Sequence, residues 1–153
     1  MASVHDVAKY FLMLAASGAE DAGEAMTHLK LQKLLYYAQG FSLALSGGKQ
    51  PMFGDTIEAW KHGPIVPAVW KAYKDYGGAP LPLPDGFDPS KGLKDGEQAL
   101  LNDVWNAYGQ FSAWKLRNMT HEESPWRNAY EPDANETISQ QSMREYFETQ
   151  IEP

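Results

Sequence analysis

The densest apolar run in the chain is 29–45, LKLQKLLYYAQGFSLAL. Wound as a helix, it is apolar around almost its whole circumference from Leu34 on. Its polar exceptions Gln32, Gln39, Ser42 and Ser46 fall at helical spacings in one narrow stripe. A helix of that kind is buried on several sides. Gly40 lies mid-helix, where glycine costs roughly 1 kcal/mol against alanine. The compensation to expect is another element packed closely on the backbone there. The pattern predicts a buried central helix over about 28–46, capped by Thr27 and closed by Ser46-Gly47-Gly48.

Weaker patterns surround this helix. Val4, Val7, Ala8, Phe11, Leu12 and Ala15 predict a first helix, capped by Ser3 and ended by Gly18. The runs 51–53 and 56–61, with Gly54-Asp55 between them, read as a small β-hairpin near 51–62, which Gly63-Pro64 stops. Pro67 suits the first position of a third helix lined by Val69, Trp70, Tyr73 and Tyr76. The proline-rich stretch 79–94 reads as a surface loop. Leu100, Leu101, Val104, Trp105 and Tyr108 mark a fourth helix. Ser112 caps a short fifth, and Ser124-Pro125 opens a sixth carrying Trp126. Ile138 and Met143 around Ser139 have the spacing of a hydrophobic staple, opening a last helix over about 139–150. No repeat and no boundary interrupts the chain. The expectation is one mainly α domain over 1–153, a compact helical bundle around the central helix with a minor β element.

Composition narrows the function. A chain of 153 residues buries about two-thirds of its unfolded surface. With 13 basic and 20 acidic residues the net charge is −7, which argues against a general nucleic-acid binder. There is no cysteine, so disulfides, thiolate metal sites and a cysteine nucleophile are excluded. No apolar run approaches a membrane span, and the N-terminus lacks the basic start of a signal peptide. A cytoplasmic protein with no membrane partner is expected.

Candidate chemistry is sparse. His5, His28, His62 and His121 form no zinc spacing, so no metal or cofactor is expected. There is no nucleophile elbow, P-loop or dinucleotide fingerprint. A hydrolase or metal-dependent enzyme using His62, His121 and Glu122, with Glu123, ranks low. The run Thr120–Trp126 has a simpler account, in which Thr120 or Ser124 caps a helix, the glutamates favour its N-terminus and Trp126 anchors it. The run 58–64, EAWKHGP, is less easily set aside. Trp60 and His62 alternate with Lys61 and share a face if this is a strand. The following turn brings Trp70 and Tyr73 near them. Tryptophan and tyrosine in an exposed patch are typical protein-binding anchors, and Lys30 and Lys33 would add charge at its rim.

Three segments carry a family resemblance: KLQKLLYYAQGFSLAL (30–45), IEAWKHGPIVPAVWKAY (57–73) and LRNMTHEESPWRNA (116–129). In order and spacing they resemble the motifs of the Panacea domain, the SocA-like antitoxin domain that includes the phage-associated GepA proteins. The match runs over about 5–130. The resemblance implies a compact, mainly helical, non-enzymatic domain, found in toxin–antitoxin pairs and on prophages. It implies neutralisation of a cognate protein toxin by direct binding. The alternative is a proteolytic adaptor delivering the toxin to a Clp-type protease. Many members carry an added terminal region. Here only the tail from about Pro132 lies beyond the last motif, so a toxin contact is expected from the core domain or that tail, and promoter binding by an added module is not expected. The partner-binding set read from these segments is Lys30, Lys33, Trp60, Lys61, His62, Trp70, Tyr73, His121, Glu122 and Trp126.

Overall fold

The computed structural model describes residues 1–17, 26–82 and 84–151. The predicted Gly18 stop lies outside the described residues. The central helix forms over His28–Leu45 (α2), with Thr27 as its cap: the Thr27 hydroxyl accepts from the Lys30 amide at 3.3 Å. Around it lie Val4–Ser17 (α1), Pro67–Tyr73 (α3), Asp95–Tyr108 (α4), Ala113–His121 (α5), Ser124–Ala129 (α6) and Gln140–Glu148 (α7). The chain is mainly α, as its apolar periodicity predicts.

All the helices except α6 add fully buried apolar side chains to one continuous core. Leu31, Leu34, Leu35, Tyr36, Tyr37, Ala38 and Leu43 of α2 are its centre. α7 packs directly on Gly40, where Phe147 occupies the space a β-carbon would need. The Ser139 cap and the buried pair Ile138 and Met143 start α7 as the staple spacing predicts.

The polar stripe on α2 is structural, with Gln32 and Gln39 buried and Ser42 and Ser46 half-buried. Gln39 Nε2 donates to the Phe53 carbonyl at 2.8 Å, and Gln39 Oε1 accepts from the Met52 and Phe53 amides. Gln32 Oε1 accepts from the Val66 amide at 2.7 Å, and the Ser42 hydroxyl donates to the Gln50 carbonyl at 2.7 Å. These bonds satisfy an irregular backbone that would otherwise be buried unpaired.

The β element differs from the expectation. The strands are Ile57–Trp60 (β1), Gly63–Ile65 (β2) and Glu136–Ile138 (β3), in the antiparallel order β2-β1-β3. Trp60 pairs with Gly63, so the hairpin turns at Lys61-His62 rather than at Gly54-Asp55. Residues 51–53 are held by Gln39 instead, and Phe53 makes an isolated bridge to Ala2. Gly63-Pro64 continues the sheet. Pro64 is tolerated because β2 is an edge strand. Gly63 has φ +112°, and a β-carbon there would lie 2.8 Å from Lys33 Cε and from Thr120 Oγ1. The third strand comes from a tail with no strand-like run of its own, and its pairing with β1 supplies the partner.

Candidate functional site

The β1–β2 turn gathers most of the sequence-predicted residues. Lys61 and His62 are exposed at its tip. His62 therefore lies in the turn, and the strand alternation expected to join it to Trp60 ends at Trp60. On one side, the Trp60 and Trp70 rings meet edge to face at 5.2 Å, and Trp70 lies 4.3 Å from the His28 ring. Trp60 Nε1 donates to Glu58 Oε1 at 2.8 Å, which fixes the indole. Tyr73 is half-buried, 6.4 Å from His28 and 6.2 Å from Tyr76.

On the other side of the turn, Arg117 of α5 donates from Nε to His62 Nδ1 at 3.1 Å and lies over the Trp114 ring at 4.3 Å. Trp114 is 57% exposed. An imidazole that accepts at Nδ1 is neutral there. Consistently, desolvation and then Arg117, Lys61 and Lys33 hold His62 below its usual range. His121 stacks flat on Trp126 at 3.8 Å, and Trp126 stacks on Tyr130 at 4.6 Å. Trp126 Nε1 donates to the Trp60 carbonyl at 2.7 Å, tying α6 to the sheet. His121 is also held down, first by burial and then by Arg117 and Lys33, while a backbone hydrogen bond with Lys61 opposes the shift. Glu122 is exposed at the end of α5.

Lys30 and Lys33 are not at the rim. They are 1% and 0% exposed. Lys30 Nζ donates to the Gly109 carbonyl at 2.7 Å and lies 5.5 Å from the Trp105 ring, which draws it towards α4 and away from the patch. Lys33 Nζ donates to the Pro64 carbonyl at 3.0 Å and lies beneath the turn. Burial, and then Arg117, push Lys33 down to about 7. Both lysines reach interior carbonyls on long aliphatic stems, which a polar letter in the sequence does not reveal.

The chemistry of the 120–126 run also differs from the expectation. Thr120 donates to the Arg117 carbonyl, and Glu123, not Ser124, holds the cap position of α6. The Glu123 carboxyl is 7% exposed and accepts from the Tyr36 and Tyr37 hydroxyls at 2.9 and 2.8 Å. Burial raises it to about 7 against the opposing effect of those two hydroxyls. It therefore joins α6 to the central helix and has no exposed face.

A pocket of about 280 Å³ opens beside the turn, lined chiefly by His28, Trp60, Lys61, His62 and Trp70, with Lys74 at its edge. His121 does not line it, so the pair needed for an acid–base enzyme is not joined there. Among the described residues, no group of three His, Asp or Glu side chains is placed to hold a metal. The arrangement joins aromatic faces, a lysine-bearing turn and few acids, on a chain of net charge −7. Sequence reasoning missed Trp114, Arg117 and His28 as members of it. The spacing of Trp114 and Arg117 on α5 was the available signal, whereas His28 joins only through the packing of α3 on α2.

A family model described as "Antitoxin SocA-like, Panacea domain" matches residues 31–127. The curated protein "Antitoxin SocA" of Caulobacter vibrioides (strain NA1000 / CB15N) is similar, at 40% identity over 52 residues. That stretch is 34% of this chain and 27% of the relative's length. No solved structure matches.

Proposed function

The chain belongs to the Antitoxin SocA-like, Panacea domain family, and on that premise we propose that it is an antitoxin that neutralises a cognate protein toxin by direct binding. The observation that carries this reading is the face around the Lys61-His62 turn. It is built almost wholly from segments inside the family match, and it leaves Trp114, Lys61 and His62 exposed. Exposed tryptophan beside arginine is the composition of interface hot spots. Buried Lys33 and half-buried Trp126 support the fold of that face, Lys30 lies away from it, and Trp60, Lys61, His62, Trp70, Tyr73, Trp114 and Arg117 supply its contacts. Because the local charge is positive, the complementary toxin surface is acidic, which speeds encounter and rejects wrong partners. Among the described residues no helix is long and apolar enough to cross a membrane, and the toxin is expected to be met in the cytoplasm.

Co-expression with the open reading frame beside its gene tests this. The neighbour should be toxic alone and harmless with this chain, and Arg117→Ala should weaken rescue without unfolding the protein. A neighbour that is harmless alone, or stays toxic in the pair, overturns the reading. Rescue that disappears when the Clp protease is deleted would replace direct blocking with proteolytic delivery.

A further inference from the structure

The Arg117 guanidinium is fixed on three sides, and none of the groups that fix it is an acid. Nε donates to His62 Nδ1 at 3.1 Å, Nη1 donates to Asn118 Oδ1 at 2.9 Å, and the Trp114 ring lies 4.3 Å away. The His62 and Trp114 rings are 6.1 Å apart, so the three side chains close a triangle between α5 and the β1–β2 turn. A guanidinium carries its N–H donors in a planar fork, two of them on Nη2. Nη2 has no partner among the described residues and, unlike the His28 ring nitrogens, it is not enclosed. It is an open donor group on an arginine that is already immobilised. His62 accepts at Nδ1, so its own proton is on Nε2, at the exposed tip of the turn.

What the triangle lacks is a negative charge. The chain has 20 acidic residues, and Arg144 pairs with Glu148 at 3.3 Å. Among the described residues, Arg117 has no such pair. The charges that share its surroundings are of its own sign: Lys61 and Lys33 act with it on His62, and Lys33 acts with it on His121. Fixing a long side chain costs conformational entropy, and here that cost falls before any partner arrives. A phosphate would suit the same donors. Nucleic-acid binding, however, draws on many cations, and this chain carries a net charge of −7. A protein carboxylate is the better match.

We propose that Arg117 receives an aspartate or glutamate carboxylate of the partner protein on the Nη2 end of its guanidinium, beside the Lys61-His62 turn, with an apolar neighbour of that acid laid on the exposed Trp114 ring. The proposal rests on the antitoxin reading for the partner's identity. Its test contains no toxin, so either can fail alone.

The test is a titration of the isotope-labelled protein with two acetylated, amidated tripeptides, Leu-Glu-Leu and Leu-Gln-Leu, which differ only in the carboxylate. The Arg117 Nε–H and Trp114 indole N–H signals report on the site. Both should move with the glutamyl peptide, which should bind roughly fivefold more tightly than the glutaminyl one at low salt. The gap should close as salt is added. Arg117→Lys keeps the charge but loses the planar fork, and should lose most of the preference, read at Trp114. Lys61→Glu, at the exposed tip of the turn, should also narrow the preference, and it serves if the Arg117 variant fails to fold. Equal binding of the two peptides, shifts confined to other tryptophans, or a full preference in Arg117→Lys would overturn the proposal. Tighter binding of a short single-stranded RNA than of the glutamyl peptide would assign the face to nucleic acid and overturn it too.

Discussion

A β-carbon placed on Gly40 would lie inside the ring of Phe147. The contact joins the middle of the central helix to the last helix of the chain. It explains why a helix otherwise built for burial tolerates its least favourable interior residue. The same ring meets Tyr36, Tyr37 and Phe41 edge to face, with centroids 4.9–5.8 Å away.

Gly40→Ala should therefore destabilise the protein, although alanine is the better helix former by about 1 kcal/mol. The fully buried ring has nowhere to go, and overpacking of this kind costs about 1–3 kcal/mol. Urea denaturation checks the sign. Phe147→Leu in the same background should recover part of the loss, and a double-mutant cycle measures the coupling.

Gln39 ties the irregular 52–53 backbone to α2 through three hydrogen bonds. Gln39→Leu preserves the volume and leaves those groups buried without partners. The expected cost is about 1–3 kcal/mol, with faster hydrogen exchange at the Met52 and Phe53 amides. Unchanged exchange would show that the segment is held by its apolar side chains alone.

Glu123 and Lys33 make opposite contributions to the pH dependence of stability on the two sides of neutrality. Glu123 has its folded pKa raised from 4.5 to about 7, so the folded state holds the proton more tightly and stability falls as pH rises across that interval. Lys33 has its folded pKa lowered from 10.5 to about 7, so the unfolded state binds more protons above neutrality and stability rises with pH there. Each limb has a slope of at most about 1.4 kcal/mol per pH unit. Denaturation curves from pH 5 to 9 check this. The lowered His28, His62 and His121 oppose Glu123 below neutrality, so Glu123→Gln should make stability rise more steeply with pH between 5 and 7, whereas Lys33→Met should flatten the alkaline limb.

Trp114 and Lys30 separate surface from interior. Trp114→Ala should change stability by no more than about 0.5 kcal/mol, while weakening toxin binding by about 2 kcal/mol as a hot-spot residue. Lys30→Ala should do the opposite. It removes a buried hydrogen bond from a cationic group, costs about 1.5–3 kcal/mol of stability, and leaves binding by the surviving folded fraction intact. Thermal melts paired with calorimetric binding to the purified toxin distinguish the two.

The sequence by itself determined the central helix, its Thr27 cap, the close approach at Gly40 and the order of the surrounding helices. These follow from apolar spacing and capping chemistry, which are local. It also marked Trp60, Lys61, His62 and Trp70 as a group, because one turn holds them together. Tertiary structure decided the rest. The hairpin turns at Lys61-His62 because β1 pairs with Gly63–Ile65 over Lys33, and its third strand arrives from 136–138, far along the chain. Lys30 and Lys33 are interior because backbone carbonyls of Gly109 and Pro64 wait at the ends of their stems. Glu123 is a buried acid because Tyr36 and Tyr37, on another helix, reach it. Whether a polar side chain faces solvent or an interior partner depends on what the rest of the chain brings within about 3 Å of it, and no local pattern encodes that.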